Sequence, residues 1–389
     1  MIRVAGNRAL QVAGLLVALA SPWQVAAGEW QFGARIAPEW RRWSYGVPGG
    51  EKEIRQTSIP LDLLITTGEI RGEVGADFVR GRHESTAPRD AAAGASSLEE
   101  VSALRLGVQA PLFAGAAIVS LRHVQSLSAG DLTADEVVVA EGFEPLALEF
   151  ARPRPFGGST TTAGFGAQIA RGARWVWTGA LSGELRGESE LLSGGPRFDP
   201  GDRWLGATAL AYSPHARGPR AASGATSRIE TTVRASLRAG GSGASRVDGE
   251  TLYHLGRQIG AGVSAETQRG ADRFRAQIDL IATERGTVAE EGLIAPASVR
   301  GGNRTAVTVE WRRAFGSWSA LGALDGRVLR GFSGDLGHSE WIAPRLGVGR
   351  SFGPASARLE VARPVGHARS SRRLDGALVR LVLSHGIAL

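Results

Sequence analysis

Apolar and polar residues alternate with a period of two along most of the chain. In 174–188 (RWVWTGALSGELRGE), Trp175, Trp177, Gly179, Leu181 and Leu185 share one face, and Arg174, Thr178, Ser182, Glu184, Arg186 and Glu188 share the other. Segment 229–239 sets Ile229, Val233, Ala235 and Leu237 against Glu230, Thr232, Arg234, Ser236 and Arg238. Segment 272–284 sets Phe274, Ala276, Ile278 and Leu280 against Arg273, Arg275, Gln277 and Asp279. Segment 303–315 sets Val307, Val309, Trp311 and Phe315 against Arg304, Thr308, Glu310 and Arg312. Alternation at 180° per residue over such stretches predicts strands and has no helical counterpart.

Sixteen strands are predicted, at 29–43, 54–67, 69–80, 100–110, 116–127, 159–171, 174–188, 203–213, 227–239, 250–267, 272–284, 303–315, 317–330, 341–352, 355–366 and 376–389. A further hairpin in 137–152 would give eighteen, and merging weak segments such as 100–110 would give fourteen. Strands of this length exceed the five or six residues usual in soluble domains. They match the roughly 9–11 residues that a tilted membrane-spanning strand needs. The predicted fold is all-β, a transmembrane antiparallel up-and-down β-barrel over 28–389.

The connections alternate in length. Short turns at Thr67-Gly68, 111–115, 171–173, 268–271, Gly316-Ser317 and Gly353-Pro354 alternate with long loops at 81–99, 128–158, 189–202, 285–302, 331–340 and 367–375. Outer-membrane barrels have short periplasmic turns and long outer loops. One long connection, 214–226, falls on the periplasmic side of this threading. Trp30, Phe32, Trp175, Trp177, Trp311, Phe315, Trp318 and Phe352 then gather at the short-turn end as an aromatic girdle at the inner interface. Arg313, Arg350 and His385 fall on the outward row near the periplasmic ends and Arg363 near the outer rim, where they reach headgroups. Arg257 falls nearer mid-strand, at odds with this register.

The N-terminus reads as an export signal. Arg3 and Arg8 precede the eleven-residue apolar run 10–20 (LQVAGLLVALA), and Val25-Ala26-Ala27 offers small residues for cleavage before Gly28, with Ala18 and Ala20 as a second option. Residues 1–27 are thus a signal peptide. The run is too short to span a bilayer as a helix.

Composition changes this picture little. Mean hydropathy of −0.07 is what an apolar row averaged with a wet row gives. The absence of cysteine excludes disulfides, thiolate metal sites and cysteine nucleophiles. Of 45 basic residues Lys52 is the one lysine, and the arginines are spread along the chain rather than clustered, so no nucleic-acid partner is expected. Cleavage leaves 43 basic and 38 acidic groups, or +5.

The candidate chemistry is that of a pore. Inward rows supply Arg71, Arg186, Arg234, Arg238, Arg273, Arg275, Arg304, Arg312 and Arg358 as lumen lining. Loop 128–158 carries Asp131, Asp135, Glu136, Glu141, Glu144 and Glu149. Folded into the lumen, it would oppose the arginines and form a constriction. The plainer alternative is a solvated loop, with the arginines paired to Glu184, Glu230, Asp279, Glu310 and Glu360. His123, His215, His254, His338, His367 and His385 are scattered, and no GxSxG, HExxH, Walker or GxGxxG pattern sits in a fitting context. No catalytic residue, cofactor or metal is expected.

Two stretches resemble known families. Residues 156–213 have a Gly-Ser-Thr opening at 157–162, a tight turn before Arg174-Trp175, and an Asp-Pro-Gly-Asp at 199–202. This pattern resembles the meta-pathway phenol-degradation transporters of the outer membrane, relatives of the long-chain fatty-acid channels, and 57–83 is similar to their early hairpin. The resemblance implies diffusion of small, often hydrophobic solutes through a barrel. Leu329-Arg330-Gly331-Phe332 is similar to the lumenal loop motif of two-partner secretion pores, and 355–389 to their final hairpin, although only three strands follow that motif here.

The expectation is therefore a channel for passive diffusion of small solutes in the outer membrane of a Gram-negative bacterium. Outer-membrane lipid, lipopolysaccharide and the outer-membrane assembly machinery are its expected partners. A secretion or polysaccharide-export pore, or a structural or adhesive barrel with a plugged lumen, is the alternative.

Overall fold

The computed structural model describes residues 30–47, 49–87, 94–127, 159–171, 174–190, 196–214, 229–288, 301–332, 336–368 and 372–388, and the described residues form strands and turns without helices. Residues 1–27, expected to be a signal peptide, the acidic loop 128–158 and most of the connection 214–226 lie outside them. β1 (Trp30–Ile36) and β2 (Glu39–Val47) form one wall strand interrupted at Ala37-Pro38. β3 (Gly50–Thr67), β4 (Ile70–Ser85), β5 (Gly94–Leu112), β6 (Ala117–Ser126), β7 (Ser159–Arg171) and β8 (Trp175–Arg186) follow. β9 (Ser189–Glu190) and β10 (Arg197–Asp199) leave the wall, and β11 (Arg203–Tyr212) and β12 (Ile229–Ser242) rejoin it. β13 (Ala244–Val247) and β14 (Glu250–His254) leave it again. β15 (Gln258–Arg269) and β16 (Asp272–Thr283) return, and β17 (Thr287–Val288) is a third excursion. The wall ends with β18 (Gly302–Phe315), β19 (Trp318–Arg330), β20 (Ser339–Phe352), the pair β21 (Ala355–Ala362) and β22 (Val365–Ala368), and β23 (Arg372–Ala388).

Counted as spans, with β1/β2 and β21/β22 each one strand, the wall has sixteen, and every neighbour is antiparallel. The last span closes on the first, with Phe32 opposite Ile387 and Trp40 opposite Val379. Closure leaves no lateral edge strand, so the backbone groups along each span pair with the strands on both sides. This is the sixteen-strand barrel expected from the alternation.

Register separates two rows. Phe274, Ile278 and Leu280 of β16 stand beside Trp311, Val307 and Thr305 of β18, and Val307 and Val309 stand beside Gly326 and Leu324 of β19. The same row holds Leu181, Leu237 and Leu346, whose side chains are more than half open on the free barrel (Leu181 at 61%), and Leu359 on the strand beside that of Leu346. Such a belt needs lipid against it, and an even-numbered barrel wearing it is an outer-membrane barrel. The opposite row faces the lumen.

Several boundaries differ from expectation: β4 and β5 run on into the expected loop 81–99, as far as Ser85 and from Gly94. The predicted strand 250–267 is two strands broken at 255–257, so Arg257 sits at the outer end of the wall, where its carbonyl accepts from the Glu284 amide at 2.8 Å. This removes the conflict that its charge posed. The excursions also build a small sheet in the order β17, β14, β13, β10, β9, within regions read as loops or as the continuation of a wall strand.

At the other side of the outer mouth, β2 and β3 run on to a hairpin at Gly49, whose φ of 83° suits glycine. Their inner face, with that of β19, β20 and β23, packs Trp43, Tyr45, Ile54, Leu329, Trp341 and Leu374 against Ala87, Leu98, Phe332 and Leu336 from the rims. Trp43 and Trp341 meet edge to face at 5.6 Å, and Arg327 lies 5.5 Å from the Trp341 ring. A wall that extends past the lipid needs such a core, because neither of its faces has hydrocarbon to shelter it.

Candidate functional site in the lumen

The inner row gathers charge in two clusters. In the first, Arg105 of β5 crosses its partner glycine, Gly75, to reach carboxylates on two strands. Its Nη2 donates to Asp62 at 2.6 Å and its Nη1 to Glu73 at 3.3 Å. Its Nε stands 2.9 Å from Asp77 as an ion pair without hydrogen-bond alignment. Arg122 adds a second cation to Glu73 at 3.4 Å. Gly75 makes the crossing possible: a Cβ there would stand 2.9 Å from Arg105 Nη2 and 3.0 Å from the Leu61 carbonyl.

The second cluster spans the closure. Arg345 of β20 donates to Asp325 at 3.1 Å, Glu360 at 3.1 Å and Glu310 at 3.5 Å, drawing together β18, β19 and β21. Glu360 is 1% exposed and also faces Arg358 Nε at 2.7 Å. Arg312 donates to Glu310 at 2.6 Å. Across the closure, Arg41 and Arg380 both donate to Glu39. Between these groups lies a cavity of about 210 Å³ lined by Arg41, Arg345, Arg380, Asp325, Trp43, Trp341 and Leu378. Ion pairs in a partly dried wall hold long side chains in fixed poses, because each guanidinium satisfies several acceptors at once.

By register, all nine arginines named from the sequence lie on the inner row. Arg186 pairs with Glu184 at 3.2 Å, Arg273 with Glu266 at 2.8 Å, and Arg275 donates to Gln277 at 2.6 Å. Arg238 lies over Gly260, where an added Cβ would stand 2.5 Å from Nε. Arg71, Arg234 and Arg304 occupy the same row opposite Gln109, Ser264 and Ile281. Arg312 and Arg358 belong to the second cluster. The six acidic residues of 128–158 lie outside the described residues. The residues that organise both clusters, Arg105 and Arg345, were not singled out from the sequence. Arg105 sits in the weakly alternating 100–110, and Arg345 follows Pro344. Their partners lie up to 43 residues away and become neighbours only through register.

The eight aromatics named as a girdle lie on the outward row, toward the short-turn end. Trp30 stacks on Phe32 at 6.2 Å and Trp175 meets Tyr212 at 4.3 Å. Arg350 is held between Trp318 and Phe352 at 4.9 and 4.8 Å, and the Trp311 indole donates to Asp272 at 3.0 Å. Arg313 stands 3.9 Å from the same Asp272. These are amphipathic contacts of the kind found where hydrocarbon meets headgroups.

No family model and no curated protein matches the chain. Solved structures do. The chain is similar to OccAB1 of Acinetobacter baumannii at 8% identity, with 92% of this chain and 97% of that chain covered and a TM-score of 0.46. It is similar to OpdO of Pseudomonas aeruginosa at 10% identity, with 93% and 98% covered and a TM-score of 0.45. It is also similar to the COG4313 outer membrane channel of Pseudomonas putida F1 at 9% identity, with 95% and 100% covered and a TM-score of 0.37.

Proposed function

We propose that this barrel is a passive diffusion channel for small solutes in the outer membrane, with a preference for anionic ones. One observation carries the reading: the wall is closed, and below the apolar cluster at its outer mouth the inner row gathers charge from strands all round the barrel. A barrel of sixteen strands leaves an aqueous channel unless its lumen is filled. Arginines outnumber carboxylates on the inner row, and several of the paired acids are shared between two guanidinium groups, as Glu39 and Glu360 are. A lumen so lined raises the local concentration of anions.

Purified, refolded protein in planar bilayers is expected to conduct in discrete steps, with a reversal potential in a salt gradient that marks anion preference. No conductance in a correctly folded barrel would overturn the channel reading in favour of a plugged surface barrel. Loop 128–158, with Asp131, Asp135, Glu136, Glu141, Glu144 and Glu149, is proposed as the constriction. Its deletion should raise conductance, and an unchanged value would remove that role.

A further inference from the structure

The lipid-facing surface carries a groove of about 650 Å³ where β18, β19, β20 and β22 run side by side. Its sides are outward-row side chains, Val307, Leu324, Val328, Ile342 and Val365, and Gly326 forms its floor. Toward the outer rim it opens between Glu340, His367 and Arg373. Arg330 pairs with Glu340 at 2.8 Å, while Arg363 and Arg373 converge on the single carboxylate of Asp375, at 3.8 and 3.2 Å. Three guanidinium groups thus meet two carboxylates, and Arg363 and Arg373 keep 71% and 74% of their side-chain surface open.

We propose that this groove holds an acyl chain of a phosphorylated outer-leaflet lipid, with the lipid's phosphate on Arg363 and Arg373. The place dictates the apolar half: a groove facing hydrocarbon excludes water, and an apolar chain is what fills it. The charge dictates the polar half. Guanidinium forks match phosphate oxygens, and basic residues at headgroup depth recognise anionic lipid. The basic rim is confined to this side of the barrel, because the outward row of β7, β8, β11 and β15 carries Thr161, Leu185, Trp204 and Ile259 toward the same rim, and on this side the apolar groove marks out Arg363 and Arg373. The inference rests on the membrane placement above and not on conduction.

Protein refolded in detergent is titrated with bisphosphorylated lipid A and with its dephosphorylated form, and bound lipid is counted by native mass spectrometry. Heat-modifiable gel migration checks that every variant is a folded barrel. One lipid A is expected to stay on each wild-type barrel. The variant R363Q/R373Q should bind about tenfold more weakly or worse, the loss expected for charge-assisted bonds. G326L tests the apolar half separately. A Cβ at Gly326 meets only the Trp341 carbonyl at 3.7 Å and Ile342 Cγ2 at 3.8 Å, so the substitution fills the groove and leaves the arginines in place. Equal binding of both lipids, or unchanged binding by R363Q/R373Q and by G326L, would overturn the site. Displacement of lipid A by inorganic phosphate alone would overturn the lipid as its ligand. Conductance recorded on the same preparation separates the two readings, since a conducting barrel that retains no lipid A contradicts only this one.

Discussion

The two sides of the barrel meet the outer surface differently. From β23 through the closure to β5 the strands are long, with 17 residues in β23, 18 in β3, 16 in β4 and 19 in β5. Their outward row ends in charge, with Arg42, Glu53, Arg55, Arg80 and Arg82 past the last apolar side chains. Their inner row ends in the buried tryptophan cluster. From β6 to β16 most strands have 10–13 residues and stop near the lipid edge, and a separate five-stranded sheet forms outside them. The long side thus reverses its polarity at the rim: apolar outside and charged inside within the membrane, charged outside and apolar inside beyond it. A strand can change solvent only by exchanging the roles of its two rows, since the period of two is fixed.

This contrast gives the largest expected effect. Trp341 is 5% exposed and packs on Trp43, so Trp341→Ala should destabilise the barrel by about 3–5 kcal/mol. Trp204 on the short side is 49% exposed, so Trp204→Ala should cost far less. Urea unfolding in lipid vesicles, followed by tryptophan fluorescence and gel mobility, measures both. Equal costs would mean that the cluster at the outer mouth is no core.

Next comes the belt itself. Leu181 lies in the middle of β8 on the lipid row, so Leu181→Arg should cost about 2–4 kcal/mol. Thr57→Arg on β3, between Trp40 and Arg80 on the outward row of the long side, should cost about 1 kcal/mol or less. If the Thr57 variant is as costly as the Leu181 variant, lipid reaches further up the long side than the charges imply.

The charged rows differ too. Arg105 is paired with Asp62, Glu73 and Asp77, so Arg105→Gln should cost about 1–3 kcal/mol and move the reversal potential toward cations by removing one positive charge from beside three carboxylates. Arg275 on the short side donates to Gln277, and Arg275→Gln should weaken anion preference with little loss of stability. A reversal potential that ignores both substitutions would place the conducting path away from these walls.

Much of this was legible in the sequence, and the exceptions share a cause. Alternation located all sixteen spans because lipid enforces one apolar row. Where lipid ends, that constraint ends, and the signal fails: 44–47 and 50–53 put Ser44 and Glu53 on the row that Trp40 and Leu61 had occupied, so the β2–β3 hairpin read as a loop. The outer sheet has strands as short as two residues, too few to show a period. Arg257 misled for the converse reason, since alternation runs on through 250–267 while the backbone breaks at 255–257. The rows of lumenal arginines follow from parity alone. Which carboxylates they meet depends on register between strands, and a single sequence does not display it.

The smallest effect tests that last point through two glycines. Gly75 lies under the Arg105 guanidinium, and an added Cβ would crowd both that group and the Leu61 carbonyl. Gly75→Ala should cost roughly 1 kcal/mol, at the low end of overpacking, because the guanidinium can shift but the carbonyl cannot. The displaced arginine should also loosen its hold on Asp62 and Asp77, giving a weaker version of the Arg105→Gln shift in reversal potential. Gly183 of β8 lies on the lipid row of the short side with nothing within 4 Å of an added Cβ. Gly183→Ala should therefore stay within about 0.5 kcal/mol of wild type and leave selectivity unchanged. If the two variants behave alike in both stability and selectivity, the strand register that brings Arg105 over Gly75 is wrong, and the first cluster falls with it.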